Sequence, residues 1–175
     1  MCQLARIPTA LLRGVLLAVV LLACAPAARA GAGLEPADQL LLVKSERRLY
    51  LLRGGETIKS YRVALGLNPV GHKEREGDFR TPEGKYRLDA RNPASDFYLS
   101  IHLSYPNAQD AENARHRHTQ PGGSIMIHGL PNLLKHTVDY YRRADWTNGC
   151  IALSNDDMLE VWLLTRSDTP IEIRP

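Results

Sequence analysis

The sequence predicts a mainly β domain, a mixed-sheet sandwich or flattened barrel with one short C-terminal helix. Three observations carry this expectation. Apolar residues recur with a period of two, most clearly where Phe97, Leu99, Ile101 and Leu103 alternate with Tyr98, Ser100, His102 and Ser104, the pattern of a strand with one buried face. Polar, glycine-containing stretches at residues 66–84 and 107–123 separate the apolar runs, as loops do. Helical periodicity emerges only near the end, after Ser154.

Taken in order, residues 1–30 read as an export signal. Arg6 and Arg13 form a basic start with no acid before Glu35, and residues 14–24 are apolar but short for a bilayer span. Ala28-Arg29-Ala30 then offers a small-x-small cleavage pattern before Gly31. A rival reading is a lipoprotein signal, with Leu21-Leu22-Ala23 preceding a lipid anchor at Cys24; an uncleaved anchor is a third. The expected location is periplasmic or extracytoplasmic, membrane-anchored if lipidated, with no transmembrane domain once the signal is removed.

Residues 31–38 read as a short linker and 39–175 as one domain, long enough for one core. The formal charge of +3 comes from the signal, which holds Arg6, Arg13 and Arg29 and no acid. The remainder is balanced and shows no basic stripe interleaved with aromatics, which excludes nucleic acid as a partner.

Within the domain, residues 40–44 and 47–52 flank Ser45-Glu46 as a hairpin, and Gly54-Gly55 marks a second turn. Tyr61, Val63 and Leu65 then alternate with Arg62 and Ala64. Residues 124–128, Ser-Ile-Met-Ile-His, form a further short strand. Ser154 caps a helix through about Leu164, with Asp157 at the capping-box position and Met158, Val161, Trp162 and Thr165 on one face. Residues 171–173 make the last strand.

Cys150 is the one cysteine outside the signal segment, which holds Cys2 and Cys24. Exported proteins mostly use cysteine in disulfide pairs, so a lone thiol is either inert or a nucleophile. Gly149 before it lets a substrate approach, and His128 at the end of an apolar strand supplies a rigid base. The Gly129 carbonyl, or one nearby, orients the second ring nitrogen, as a third triad member does. Backbone N–H groups around Gly149 and Cys150 form an oxyanion site. His116 and His118 form an H-x-H pair, but Arg115 and Arg117 make it a poor cation site, so no metal is expected there.

These pieces together resemble the L,D-transpeptidase (YkuD-type) catalytic domain. The matching stretches are His128-Gly129, then Thr147-Asn148-Gly149-Cys150-Ile151, with residues 44–51 and Gly77-Asp78-Phe79-Arg80-Thr81-Pro82-Glu83-Gly84 in support. The resemblance runs over about residues 40–173. The family's signature has a second histidine where this chain has Asn148, which donates or accepts a hydrogen bond but does not titrate. The spacer between His128 and Thr147 is also long, so residues 131–145 are expected to form a flap over the cleft.

The resemblance implies a cysteine peptidyltransferase acting on peptidoglycan stem peptides. Cys150 attacks the carbonyl of the third stem residue, a thioester forms, and an amine completes a 3→3 cross-link, with no metal or cofactor needed. Hydrolysis of the same acyl-enzyme, as an L,D-carboxypeptidase or endopeptidase, is the alternative, as is a non-catalytic peptidoglycan-binding protein. For substrate binding the candidates are Arg80, whose guanidinium fork suits a stem carboxylate, Tyr105 and Trp146.

Overall fold

The structure is a computed structural model and describes residues 35–175. The expected export signal at residues 1–30 and the rival lipid anchor at Cys24 fall outside the described residues. Eight strands and three helices follow in order: β1 (Gln39–Val43), β2 (Arg48–Arg53), β3 (Glu56–Arg62), β4 (Gly84–Ser95), β5 (Tyr98–Leu103), α1 (Ala108–His116), β6 (Met126–His128), α2 (Val138–Arg143), β7 (Ile151–Ala152), α3 (Asn155–Leu164) and β8 (Pro170–Arg174).

The strands form one mixed sheet in the order β3-β2-β1-β8-β4-β5-β6-β7. β1 pairs in parallel with β8, and β6 with β7; the remaining neighbours are antiparallel. The two ends of that order meet. Beyond β3 the chain runs on through Ala64, which exchanges both backbone hydrogen bonds with Ala152 of β7, N to O at 2.9 and 2.8 Å. The sheet thus curls on itself into a flattened, closed form.

Period-two burial explains each strand. Leu40 and Leu42, Leu49 and Leu51, Tyr86 and Leu88, Ile101 and Leu103, and Ile171 and Ile173 point into one core while their neighbours face outward. α3 closes the core against β5, with Met158, Val161 and Leu164 buried. Its cap is the expected one, Ser154 accepting from the Asp157 N–H at 3.2 Å. Trp162 is only half-buried. It packs against the edge of the core, and the Arg91 guanidinium lies 4.1 Å from its ring centroid, a cation–π contact on its outer side.

Two helices stand where the sequence pattern suggests a loop and a flap, and a long strand, β4, fills a stretch to which the pattern assigns no element. α1 occupies part of residues 107–123. It has almost no apolar face, burying only Asp110 and Ala114, so periodicity does not reveal it. What holds it is a capping box between Asn107 and Asp110 and the Asp110 carboxylate, which accepts from Tyr86 Oη at 3.1 Å and faces His72 Nε2 at 3.2 Å. α2 lies inside the expected flap, capped by Thr137. β4 buries Tyr86 and Leu88, but its exposed positions are mostly charged or polar.

Lys44 at the β1–β2 turn is 2% exposed. Its ammonium donates to the carbonyls of Gly71 and Thr81, at 2.7 and 3.0 Å, and to Glu83 at 2.8 Å. Burial lowers its pKa, which the Glu83 partner opposes. The hairpin is thereby tied to residues 71–83, the segment that supports the site.

Candidate active site

Register places Cys150 beside the histidine strand. β6 and β7 pair in parallel with Ile127 opposite Ile151 and His128 opposite Ala152. Cys150 therefore precedes β7 at the level of Met126, and His128 lies two residues further along the same face. The Leu153 N–H donates to the His128 carbonyl at 2.9 Å and extends the pairing.

The cysteine loop is pinned from behind. Thr147 exchanges backbone hydrogen bonds with residues 65–67: its N–H donates to Leu65 O at 3.1 Å, and Leu67 N–H donates to its carbonyl at 2.9 Å. The Thr147 hydroxyl accepts from Gly149 N–H at 3.1 Å and donates to Cys150 O at 2.8 Å. Gly149 holds φ at +125°, and a Cβ there would lie 2.6 Å from the Arg80 carbonyl. Only glycine meets both demands. The Gly149 N–H is thus satisfied within the loop by the Thr147 hydroxyl.

Cys150 Sγ donates to Ser124 O at 3.6 Å. Burial pushes the thiol up, while a hydrogen bond from the Met126 backbone N–H and the Lys73 ammonium oppose the shift. Lys73 is itself buried and pairs with Asp78 at 2.8 Å. Burial works against the Asp78 carboxylate, yet Lys73 and the N–H groups of Glu74, Arg80 and Arg75 hold it below its ordinary pKa. Asp78 is thus the hub that shapes the loop behind the thiol.

His128 is 3% exposed, and its Nδ1 lies 2.7 Å from the Gly129 carbonyl. A carbonyl only accepts, so Nδ1 carries the proton and Nε2 keeps its lone pair. Burial lowers the ring's pKa to about 4, against the smaller opposing effect of the Gly129 bond. Gly129 is required by close approach: its N–H donates to Phe97 O at 3.0 Å, and a Cβ would meet Asn155 Oδ1 at 2.7 Å.

Aromatic rings cover the histidine. Phe97 lies 4.6 Å from its centroid and Trp146 5.6 Å, edge to face. Tyr141 of α2 continues the seam at 4.9 Å from Trp146. Trp146 Nε1 is buried with no partner among the described residues.

One cavity of about 420 Å³ brings together Cys150, His128, Asn148, Trp146, Phe97 and Ser124. Asn148 sits exposed on its wall, and its side chain makes no hydrogen bond to another described residue. Arg80 lines a neighbouring cavity. Tyr105 is elsewhere: 3% exposed, edge-on to Tyr86 and donating to Pro121 O at 2.9 Å, it packs the core. His116 is exposed and paired with Glu112 at 2.7 Å.

Sequence reasoning missed Phe97, legible only as one more alternating apolar residue, and Lys73, which no pattern marks. Asp78 had a signal in Gly77-Asp78, a turn-forming pair whose carboxylate bonds nearby amides.

The family model for the YkuD L,D-transpeptidase catalytic domain matches residues 38–173. YafK of Escherichia coli (strain K12), named for the same activity, is 35% identical over 94 residues, 50% of this chain and 36% of that protein. The chain spans about a third of the length of this curated relative. Among solved structures, the helical cell shape determining protein Pgp2 from Campylobacter jejuni superposes with a TM-score of 0.57 at 26% identity, over 77% of this chain and 46% of that one. The L,D-transpeptidase (residues 123–326) from Xylanimonas cellulosilytica superposes with a TM-score of 0.52 at 12% identity, over 79% and 61% of the two chains, a likeness of fold alone.

Proposed function

Since this chain belongs to the L,D-transpeptidase catalytic-domain family, we propose that residues 39–175 form an extracytoplasmic cysteine acyltransferase acting on peptidoglycan stem peptides. The carrying observation is the shared cavity of Cys150 and His128, with the imidazole tautomer set by the Gly129 carbonyl. Export through the segment at residues 1–30, with Cys24 lipidation as the variant route, belongs to the same reading. The similarity to a cell shape determining protein supports a role in shaping the wall.

At rest the pair is neutral. Burial favours the thiol over the thiolate and the imidazole over the imidazolium, so the proton moves only as substrate arrives. His128 Nε2 takes the thiol proton while Sγ bonds to the carbonyl carbon of the third stem residue. The Cys150 N–H, with Asn148 at the rim, donates to the developing oxyanion. The tetrahedral adduct then expels terminal D-alanine, whose amine takes the proton from His128, and leaves a thioester on Cys150. The amine of a second stem attacks that thioester, loses a proton to His128 and restores the thiol, giving the 3→3 link.

The test is incubation of the purified protein with disaccharide tetrapeptides and mass analysis of the products. Cross-linked dimer with released alanine is expected, and Cys150→Ala should give none while keeping its melting temperature. Tripeptide alone would assign hydrolysis. Equal turnover by Cys150→Ala would sink the covalent mechanism.

A further inference from the structure

A second cavity, about 530 Å³, lies beside the cysteine loop and is lined by residues that include Asn68, Glu74, Arg75, Asp78, Arg80 and Arg117. The two cavities share no lining residue; the backbone of Arg80 links them, since a Cβ on Gly149, between Asn148 and Cys150 of the first cavity, would lie 2.6 Å from the Arg80 carbonyl. The charges on its walls do not balance. Asp78 is committed to Lys73 and three backbone N–H groups. That leaves the carboxylate of Glu74, 44% exposed, to face two guanidiniums at long range: Arg80 Nη1 at 3.7 Å and Arg117 Nη2 at 3.4 Å. Arg80 Nη1 also donates to His72 O at 3.2 Å, and its Nε is buried with no partner among the described residues.

Such solvent-exposed pairs contribute roughly 0–1 kcal/mol, so a better-placed anion displaces Glu74 cheaply. Guanidinium forks match carboxylates in plane and charge. We infer that this cavity is a carboxylate-binding subsite. It holds a free carboxylate of the stem peptide whose carbonyl reaches Cys150, and Glu74 fills it until the peptide arrives. The inference rests on the peptidoglycan reading above and deepens it. Two carboxylates of a stem tetrapeptide have the required chemistry: that of the terminal D-alanine and that of the diaminopimelate side chain.

Calorimetric titration of the full-length Cys150→Ala protein separates them. Three probes are needed: the tetrapeptide, its C-terminal amide, and the peptide amidated only at the diaminopimelate side chain. One amidation should weaken binding about tenfold and the other leave it unchanged, since one charge-assisted hydrogen bond contributes about 1.4 kcal/mol or more. Arg117→Gln, added to that protein, should bring the free acid down to the level of the sensitive amide. Glu74→Gln, which removes the internal competitor, should tighten the free acid about threefold without tightening that amide, and a misfolded variant would not gain affinity.

Equal binding of all three peptides, or binding of none, overturns the subsite. So does an acid preference that survives Arg117→Gln or a Glu74→Gln protein with wild-type affinities. Loss of turnover with an intact acid preference would overturn the proposed chemistry and support the subsite. Turnover without a preference removes the subsite alone.

Discussion

Phe97 and Trp146 keep water from the ring of His128, and this has a pH signature. The folded pKa is about 4, whereas an unfolded histidine titrates near 6.5. Between these values the unfolded chain binds a proton that the folded chain does not. Stability is therefore fully present above pH 6.5 and falls as the pH drops toward 4. Urea melts of wild type and His128→Gln at pH 7 and 4.5 should show the wild type losing about 2 kcal/mol more than the variant; equal losses would mean the ring is not buried as described. At Asn148 two roles compete, a donor near the oxyanion or a shaper of the loop. Its side chain is exposed and makes no hydrogen bond to another described residue, which favours the first. Asn148→Ala should slow carbapenem acylation of Cys150 by about 10- to 1,000-fold, as losing one such donor does, with an unchanged melting temperature. A full-speed but thermally weakened variant would reverse the assignment.

At the scale of elements, α1 depends on polar contacts rather than on an apolar face. Asp110 accepts from Tyr86 and from the Asn107 N–H and faces His72. Asp110→Ala should cost about 2–4 kcal/mol, since buried donors would lose their partner; a shift in urea midpoint under a quarter of that would show that the helix is held otherwise. The same contrast explains what the sequence made legible. Strands β1, β2, β5 and β8 and helix α3 bury apolar side chains with regular spacing, so the period reveals them. α1 rests on a carboxylate, α2 on one hydroxyl cap and aromatic contacts with the Trp146 seam, and β4 on two buried apolar residues among charged and polar ones. These causes are tertiary and leave no periodic trace. At the site, the Cys150 and His128 pairing was readable because motif residues carry it, and the Gly129 carbonyl was among the foreseen orienting groups. Phe97 and Lys73 reach the site only through folding, as does the bond from the Gly149 N–H to the Thr147 hydroxyl.

At the scale of the whole molecule, the closing contact between Ala64 and Ala152 sits two residues beyond the nucleophile. Ala64→Pro deletes the donor of one of its two hydrogen bonds. That variant should lose carbapenem acylation at least tenfold while iodoacetamide still alkylates Cys150, and backbone exchange at Ala152 should quicken. Slow exchange at Ala152 in the variant would show that the sheet ends are held by side-chain packing alone. The closure also sets an order of events. The base, the thiol and the glycine that admits the substrate lie in the second half of the chain, but the residues that brace them, Leu65, Leu67 and Arg80, come from the first. A chain with its ends apart carries the same thiol without the bracing. The geometry of the thiol loop is therefore a product of complete closure and not of local sequence, because its backbone partners at Leu65 and Leu67 arrive only when the two ends of the sheet join.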